Sequence, residues 1–255
     1  MIRPPGTILQ HLYFKERLRN IRPGKFIEVG VGQGLLSKLL LDTGWQGIGF
    51  DLNADSIRGA SQLNAASIAR CRYELRCDDW LEAQPAEKVD MVVSCMVLEH
   101  LTEQDEEAYF RACENSLTDG GVMVLFVPGS PSHFGTEDKV AGHYRRYTAE
   151  GLRGKLEQHG WRDIHIAGLT YPVSNLLYPL SENMVRRAEA KKLDFSMAER
   201  TRLSGNRDVP FKTRFPSAFG LLLNDFSLYP LHVVQKCFLR HPNALVLYTE
   251  GTKRS

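Results

Sequence analysis

Phe26-Ile27-Glu28-Val29-Gly30-Val31-Gly32-Gln33-Gly34 is the stretch of sequence that decides the fold. Its first half has the apolar residues of a short strand, its second half has glycine at alternate positions, and leucines at helical spacing follow directly. Glycine lets the backbone turn sharply and approach a ligand, because no Cβ stands in the way. The stretch therefore predicts a strand, a tight turn and a helix, with a ligand site at the turn.

A carboxylate follows a second short strand. Residues 47–51 read Gly-Ile-Gly-Phe-Asp, and Asp51 lies seventeen positions after Gly34. An acid at this place can accept hydrogen bonds from the hydroxyls of a ribose. Together with the glycine turn it predicts a site for a nucleoside ligand, and the alternative for the turn alone is a glycine-rich loop that binds nothing.

The composition is that of an ordinary soluble chain. Its 255 residues are 43% hydrophobic and 24% charged, with a formal net charge of +2. Such a length holds one large domain, or one domain with a sizeable insertion. The start lacks an apolar signal core and no apolar run is long enough to span a membrane, so we expect a cytoplasmic protein. The five cysteines are odd in number and lack metal-binding spacing, which predicts reduced thiols and no metal site.

Strands alternate with helices along most of the chain, which predicts a doubly wound, mostly parallel α/β sheet of Rossmann-like type. The strands are expected at 26–30, 46–51, 73–77, 89–94, 122–127, 163–167 and 244–248. The helices are expected at 7–21, 34–43, from about 53 to 69, at 104–117, 148–159 and 176–191.

A long segment separates the last two predicted strands. Residues 170–255 carry 13 Lys and Arg against 7 Asp and Glu, whereas the rest carries 19 against 23, so the basic residues are concentrated at the end of the chain. We expect 170–243 to be a helical insertion, broken into short pieces by its prolines. As a lid over the substrate, it would offer aromatic walls and arginines for an anion: Tyr171, Tyr178, Phe211, Phe215, Phe219, Arg186, Arg187 and Arg214. A structural appendage and a dimerisation arm are the other readings.

The glycine spacing G-x-G-x-G after Glu28 resembles the first motif of class I S-adenosylmethionine-dependent methyltransferases, whereas a dinucleotide site usually reads G-x-G-x-x-G. Further segments are similar to the same family in the right order: Cys77-Asp78-Asp79-Trp80, Leu98-Glu99-His100-Leu101, Leu117-Thr118-Asp119-Gly120-Gly121 and Gly142-His143-Tyr144-Arg145-Arg146-Tyr147. The last resembles a subgroup that modifies glycans, lipids or secondary metabolites. The third has Thr118-Asp119 where the family has part of its usual Pro-Gly turn.

This resemblance, to the small-molecule (type 11/12-like) branch, implies a seven-stranded sheet with an antiparallel edge strand. It divides the chain into an S-adenosylmethionine-binding core at 1–169, the insertion at 170–243, and a final core strand and tail at 244–255. It implies that Asp51 holds the ribose, Leu52 lies on the adenine and Asp78, or Asp79, accepts from the adenine amino group. The remaining cofactor residues would be Glu28, Gly30, Gly32, Gly34 and Ser94.

The implied reaction transfers a methyl group from S-adenosyl-L-methionine to a hydroxyl or amine of a small-molecule, glycan or lipid-type acceptor. Such a displacement depends mainly on positioning and needs no metal. A base, if one is used, would be His143 or, second, His100, with His133 and Tyr144 as weaker candidates; orienting the loop is the alternative role for His143. The expected substrate contacts are Tyr144, Arg145 and Tyr171.

Three other functions are weighed against this one. A nucleic-acid or protein methyltransferase would use the basic C-terminal region, but that excess of charge is modest and no base-methylation motif is present. A non-catalytic cofactor-fold module would not need the intact glycines and Asp51. An NAD-dependent oxidoreductase is disfavoured by the glycine spacing. Nucleic acid is not an expected partner, and peripheral membrane contact and a homodimer are both left open.

Overall fold

The computed structural model describes residues 2–83, 85, 87–204, 209–213 and 215–253. One sheet of seven strands runs through this part of the chain, in the order β3-β2-β1-β4-β5-β7-β6. The strands are β1 Lys25–Val29, β2 Gln46–Phe50, β3 Tyr73–Arg76, β4 Val89–Cys95, β5 Leu117–Pro128, β6 Arg162–Leu169 and β7 Val246–Thr252.

Ten α-helices are described. They are α1 Pro5–Leu18, α2 Leu35–Asp42, α3 Ala54–Leu63, α4 Ala65–Ala69, α5 Glu103–Ser116, α6 Thr136–Ala141, α7 Ala149–Gln158, α8 Val173–Glu189, α9 Met197–Ser204 and α10 Asp225–Lys236. Short 3₁₀ helices lie at Leu98–His100, Pro131–His133, Ala190–Asp194 and Ser217–Leu221. In the described part of the chain, no helix is long and apolar enough to cross a membrane.

The central strands pair in parallel, and most of their residues are apolar. Ile27 of β1 lies between Ile48 of β2 and Val92 of β4 in the ladder, and β4 continues the parallel pairing to β5. Parallel strands are covered on both faces, so they need apolar side chains at successive positions rather than at alternate ones. Ile27 and Val92 are fully buried accordingly.

β7 runs antiparallel to its neighbours. The Gly129 N–H donates to the Leu245 carbonyl at 2.9 Å, and the Lys253 N–H donates to the Gly121 carbonyl at 3.0 Å. Residue numbers therefore rise along β5 where they fall along β7. The sheet thus has six parallel strands and one antiparallel strand near its β6 edge, with the helical insertion before it. The predicted fold is confirmed.

Three local predictions are wrong. The helix expected from about 53 to 69 is interrupted at Asn64, whose side-chain amide donates to the Gly34 and Ala60 carbonyls at 3.1 and 3.0 Å and so caps the end of α3. The turn expected at 118–121 lies inside β5 as an irregularity, because Leu117 pairs with Val89 but Val122 already pairs with Met91. Gly120 absorbs the extra residues with a φ of +77°.

The third wrong prediction concerns two prolines. Pro179 lies inside α8 and Pro230 inside α10, where helix breaks were expected. A proline removes one backbone hydrogen bond, and packing of the helix on its neighbours can outweigh that loss. Here α10 packs along α1, and Leu228 forms a small core with Ile8 and Leu12. Pro172 and Pro216, in contrast, immediately precede helices, as expected for residues with a fixed φ.

The chain divides into two compact units. One holds the described residues of 22–127, 150–166 and 249–255, and the other those of 1–21, 128–149 and 167–248. The predicted division of the chain at 169 and 243 stays a prediction.

Candidate active site

The turn between β1 and α2 requires its glycines. Gly30, Gly32 and Gly34 have φ values of +76°, +53° and +75°, a region that side chains with a Cβ rarely adopt. A Cβ on Gly34 would stand 2.6 Å from the Asn64 amide nitrogen, and one on Gly30 would strike Val97. The turn therefore lies at the carboxyl end of β1 without side chains at these positions. The Gly30 and Gly34 N–H groups donate to the Phe50 and Val31 carbonyls within the fold, at 2.8 and 3.0 Å.

Asp51 follows β2 and is tied to this turn. Its Oδ2 accepts from the Gly32 N–H at 2.8 Å and its Oδ1 accepts from the Asn53 N–H at 2.8 Å. Burial raises the pKa of the Asp51 carboxyl, and the two N–H groups oppose that rise. A carboxylate offers about four acceptor positions, so these two bonds leave it capacity for the hydroxyls of a ribose.

Glu28 lies beneath the turn, buried within the sheet. It accepts a hydrogen bond from the Ser37 hydroxyl, and the Ser37 and Tyr73 hydroxyls are 2.6 Å apart. Burial raises the pKa of Glu28 to about 8, the negative charge of Asp51 adds to the rise, and the bond from Ser37 opposes it. Glu28 is therefore largely protonated at neutral pH, which makes it a poorer partner for a cation than an ionised acid.

Three further residues predicted to bind the cofactor lie in the segments that follow β2 and β3. Leu52 is 55% exposed directly after β2, and its contact with the adenine stays a prediction. Asp78 and Asp79 are both exposed, but Asp79 Oδ1 accepts from the Leu81 N–H at 2.9 Å and so organises a turn. Trp80 is buried beside them. Contact of either acid with a ligand stays a prediction.

The segment after β4 holds Ser94 and His100. Ser94 is buried, and its hydroxyl accepts from the Tyr109 hydroxyl at 2.8 Å, which ties β4 to α5. Met96 then adopts a φ of +57°, an uncommon conformation for a side chain of this size. His100 is half-buried at the end of the 3₁₀ helix that follows. Contact of either residue with a ligand stays a prediction.

His143 is held by Asp138, a residue that the sequence analysis missed. Asp138 is buried in α6, and its Oδ1 lies 2.8 Å from Nδ1 of His143. Arg146 donates from Nε to both oxygens of Asp138 at 2.9 and 3.0 Å, and the Gly135 N–H donates to Oδ2 at 2.9 Å. Burial alone would raise the pKa of Asp138, but the bonds from His143 and Arg146 and the charge of Arg146 lower it to about 2.

The helix that carries Asp138 is itself anchored. Glu182 of α8 accepts from the N–H groups of Thr136 and Glu137, both at 2.8 Å, at the first turn of α6. A carboxylate at this end of a helix satisfies donors that have no partner inside the helix. The Tyr178 hydroxyl donates to the His133 carbonyl at 2.7 Å just before α6. The insertion thus fixes the segment from which His143 projects.

The predicted substrate residues are spread over this same unit. Tyr144 is exposed with Arg145 beside its ring, 6.0 Å from the centroid. Tyr171 stacks on His241 at 3.8 Å between ring centroids. Arg146, in contrast, pairs with the buried Asp138.

The aromatic side chains of the insertion form local clusters. Phe219 lies 6.1 Å from Phe211 and 6.0 Å from Phe215, measured between ring centroids. Arg186 donates to the Asn183 side chain at 3.0 Å, and Arg214 lies outside the described residues.

A family model and the curated relatives of this chain agree on one family. A family model described as "Methyltransferase domain" matches residues 7–166. A ubiquinone biosynthesis O-methyltransferase of Bradyrhizobium sp. (strain ORS 278) is 33% identical over 101 residues, or 40% of this chain and 38% of that protein. One of the same name from Xanthomonas axonopodis pv. citri (strain 306) is 31% identical over 179 residues, or 67% of this chain and 73% of that protein.

A solved structure agrees in fold. Phosphoethanolamine N-methyltransferase 2 of Haemonchus contortus, in complex with S-adenosyl-L-methionine, superposes with a TM-score of 0.59 at 16% identity, over 96% of this chain and 52% of that one. This likeness concerns the fold alone. The match to the Bradyrhizobium protein spans well under two thirds of that protein's length. The family model covers more than half of the 255 residues of this chain, so this chain belongs to the methyltransferase-domain family.

Proposed function

We propose that this chain transfers a methyl group from S-adenosyl-L-methionine to a hydroxyl or amine of a small-molecule, glycan or lipid-type acceptor. The observation that carries the proposal is the bare glycine turn with Asp51 bonded to it. All three glycines of the turn have positive φ, and neighbouring atoms exclude a Cβ at Gly30 and Gly34. Such a turn, beside an acid with acceptor capacity left over, fits a nucleoside ligand.

Each part of the cofactor has a residue that suits it. Gly30, Gly32 and Gly34 would form the floor, Asp51 would accept from the ribose hydroxyls, Leu52 would cover the adenine and Asp78 would accept from its amino group. Glu28 and Ser94 complete the proposed set, with Glu28 directed to the amino group of the methionine part. When bound, the cofactor supplies a methyl group already activated by its sulfonium.

The proton of a hydroxyl acceptor would go to His143. When Nδ1 of an imidazole donates to a carboxylate, the lone pair lies on Nε2, and that atom can take a proton. Asp138 fixes this tautomer and the orientation of the ring, since Arg146 and the Gly135 N–H hold the carboxylate in place. His100 is the second candidate for the base.

The acceptor is proposed to be amphiphilic or anionic. The relatives from Bradyrhizobium and Xanthomonas are named as O-methyltransferases of ubiquinone biosynthesis, which favours a hydroxyl over an amine. The basic, aromatic segment 170–243 would supply the walls of the acceptor site, with Tyr144, Arg145 and Tyr171 as contacts. A cytoplasmic location and a homodimer stay predictions.

The test follows the methyl group. Purified protein is incubated with methyl-labelled S-adenosylmethionine and, separately, a catechol with an alkyl tail, the same catechol without the tail, and phosphoethanolamine. We expect label on a hydroxyl of the tailed catechol. Label on phosphoethanolamine would shift the acceptor class to amines. Cofactor binding without transfer to any acceptor of these classes would favour a binding module, and binding of NADH in its place would overturn the proposal.

A further inference from the structure

Large apolar side chains are exposed along residues 221–233, from the end of the 3₁₀ helix Ser217–Leu221 into α10. Phe226 is 91% exposed, Leu221 82%, Leu222 66% and Tyr229 50%. Single exposed apolar residues are ordinary in soluble proteins, but a contiguous group of large ones usually marks an interaction surface. We call Leu221, Leu222, Phe226, Tyr229 and Val233 the α10 surface.

The helix is apolar on more than the face that it buries. Leu228, His232 and Gln235 are buried at a spacing of three and four residues and form the inward stripe. Phe226, Tyr229 and Val233 have the same spacing on a separate stripe, and they are exposed. A surface helix normally has polar residues outside its buried stripe, so a second apolar stripe needs a second apolar environment.

The α10 surface is held rigidly. Asp225 at the start of α10 pairs with Arg3 at 2.5 Å and with Lys15 of α1 at 2.6 Å. Asn224 caps the helix by accepting from the N–H groups of Phe226 and Ser227, each at 3.0 Å. Farther along, the Gln235 amide donates to the Leu9 carbonyl at 3.0 Å. The exposed stripe is therefore presented by an anchored helix.

A surface pocket opens at the same place. Its volume is about 520 Å³, and it lies against α1 and the first half of α10. The lining residues are Leu12, Asp225, Phe226, Ser227, Tyr229 and Pro230. A mainly apolar recess of this size beside exposed apolar side chains suits a flexible hydrocarbon chain.

The charges near the α10 surface indicate which kind of partner it binds. Arg3 and Lys15 share the one carboxylate of Asp225, Lys236 pairs with Glu16, and Arg240 is exposed four residues after the end of α10. These six side chains sum to a charge of +2. A second copy of the chain on a two-fold axis would place this surface against itself, with like charges opposed. An anionic lipid headgroup layer has the complementary sign, and an apolar stripe with basic neighbours is the pattern of helices that lie in a membrane interface.

We propose that the α10 surface docks on an anionic lipid bilayer, with Leu221, Leu222, Phe226 and Tyr229 among the acyl chains and the flanking cations at the headgroups. This docking goes beyond methyl transfer and does not depend on it.

Flotation with lipid vesicles tests the proposal on the full chain. Vesicles of phosphatidylcholine with phosphatidylglycerol are compared with vesicles of phosphatidylcholine alone. Wild-type protein is expected to float with the anionic vesicles, less so at high salt. The double variant Leu221→Ser/Phe226→Ser should lower the partition coefficient roughly tenfold or more, because two large apolar side chains are lost.

Two further variants complete the design. Phe195→Ser removes another exposed phenylalanine of the same unit and should leave binding unchanged. Arg240→Gln should lower binding to anionic vesicles by roughly fivefold while binding to neutral vesicles stays the same. Circular dichroism and the affinity for S-adenosylmethionine establish that each variant is folded.

Absence of vesicle binding by the wild type would overturn the proposal, as would equal binding by the double variant. A dimer seen by analytical ultracentrifugation that the double variant abolishes, without any vesicle binding, would assign the surface to a second copy of the chain instead. Loss of the proposed methyl transfer alone would leave all these results unchanged, so the two proposals fail separately.

Discussion

The Nδ1 atom of His143 lies 2.8 Å from the Oδ1 atom of Asp138, and Arg146 donates to both oxygens of the same carboxylate. Asp138 is buried, so both partners bind it away from solvent screening. This arrangement gives the imidazole one orientation and one tautomer. The proposed roles of His143 as proton acceptor and of Asp138 as its positioning residue can be separated by mutation.

His143→Ala should lower turnover by about 10²–10⁴-fold, because general-base catalysis contributes a factor of that size. The affinity for S-adenosylmethionine, measured by calorimetry, should stay within about twofold, since no cofactor role is proposed for the imidazole. Lys139→Gln, which changes an exposed side chain of α6 with no proposed role, is the control for disturbance of this segment. Undiminished turnover in His143→Ala would reduce His143 to a structural role.

Asp138 should also make the free energy of unfolding depend on pH in the acid range. Its pKa is lowered from 3.8 to about 2 in the folded protein, so the ionised form contributes stability that is present above pH 4 and is lost as the pH falls towards 2. The difference in free energy of unfolding between wild type and Asp138→Asn should shrink by about 2 kcal/mol over that range. Urea titrations at several acid pH values measure it. A difference that does not vary with pH would show that Asp138 is not ionised in the pair.

The central sheet was predictable because its signals are local. Glycines at alternate positions after an apolar strand admit few conformations, and Gly30, Gly32 and Gly34 all adopt positive φ as that pattern requires. Asp51 was predictable for a related reason. The carboxyl ends of neighbouring parallel strands meet at one edge of a sheet, so an acid after β2 must lie beside the turn after β1.

The parts that escaped prediction depend on tertiary contacts. Asp138 stands five residues before His143 in a short helix, and only its position three residues after Gly135 hinted at a capping role. Ser37, Tyr73 and Glu28 come together from three different elements, and no spacing in the sequence predicts that contact. Pro230 was expected to break a helix, but the packing of α10 on α1 outweighs the lost backbone bond.

Asp51→Ala should weaken S-adenosylmethionine binding tenfold or more. Hydrogen bonds to a charged group contribute about 1.5–3 kcal/mol each, and the variant also releases the Gly32 N–H. Asp55→Ala is the matched control, because Asp55 is an exposed acid four residues farther on that pairs with Arg58. Calorimetry that finds equal affinity for wild type and Asp51→Ala would refute the assignment of Asp51 to the ribose.

Two Gly→Ala substitutions should have opposite effects on stability. Gly34→Ala forces a Cβ into a φ of +75° and within 2.6 Å of Asn64, so we expect a loss of about 1–3 kcal/mol. Gly154 lies inside α7 with open space around its Cβ position, and Gly154→Ala should add about 0.5–1 kcal/mol through helix propensity. Urea unfolding of both variants measures the pair. Stabilisation by Gly34→Ala would mean that the turn relaxes away from the conformation described.

Glu28 should make stability fall as the pH rises, the opposite sense to Asp138. Its pKa is about 8 in the folded protein against 4.5 for an ordinary glutamate, because burial disfavours the charged form. The folded state therefore holds the proton more tightly. Its stabilising contribution is complete below pH 4.5 and is lost as the pH rises through 8.

Glu28→Gln keeps a neutral side chain of the same shape and removes this titration. Between about pH 5 and about pH 9, wild type should lose on the order of a few kcal/mol more free energy of unfolding than Glu28→Gln does. If Glu28 also binds the amino group of the methionine part, that cation should favour the ionised acid, and cofactor binding near pH 7 should release a proton in wild type but not in the variant. Calorimetry in buffers of different ionisation enthalpy detects the proton. Parallel stability curves for the two proteins would mean that Glu28 is ionised in the fold, and proton release by both would place its source elsewhere.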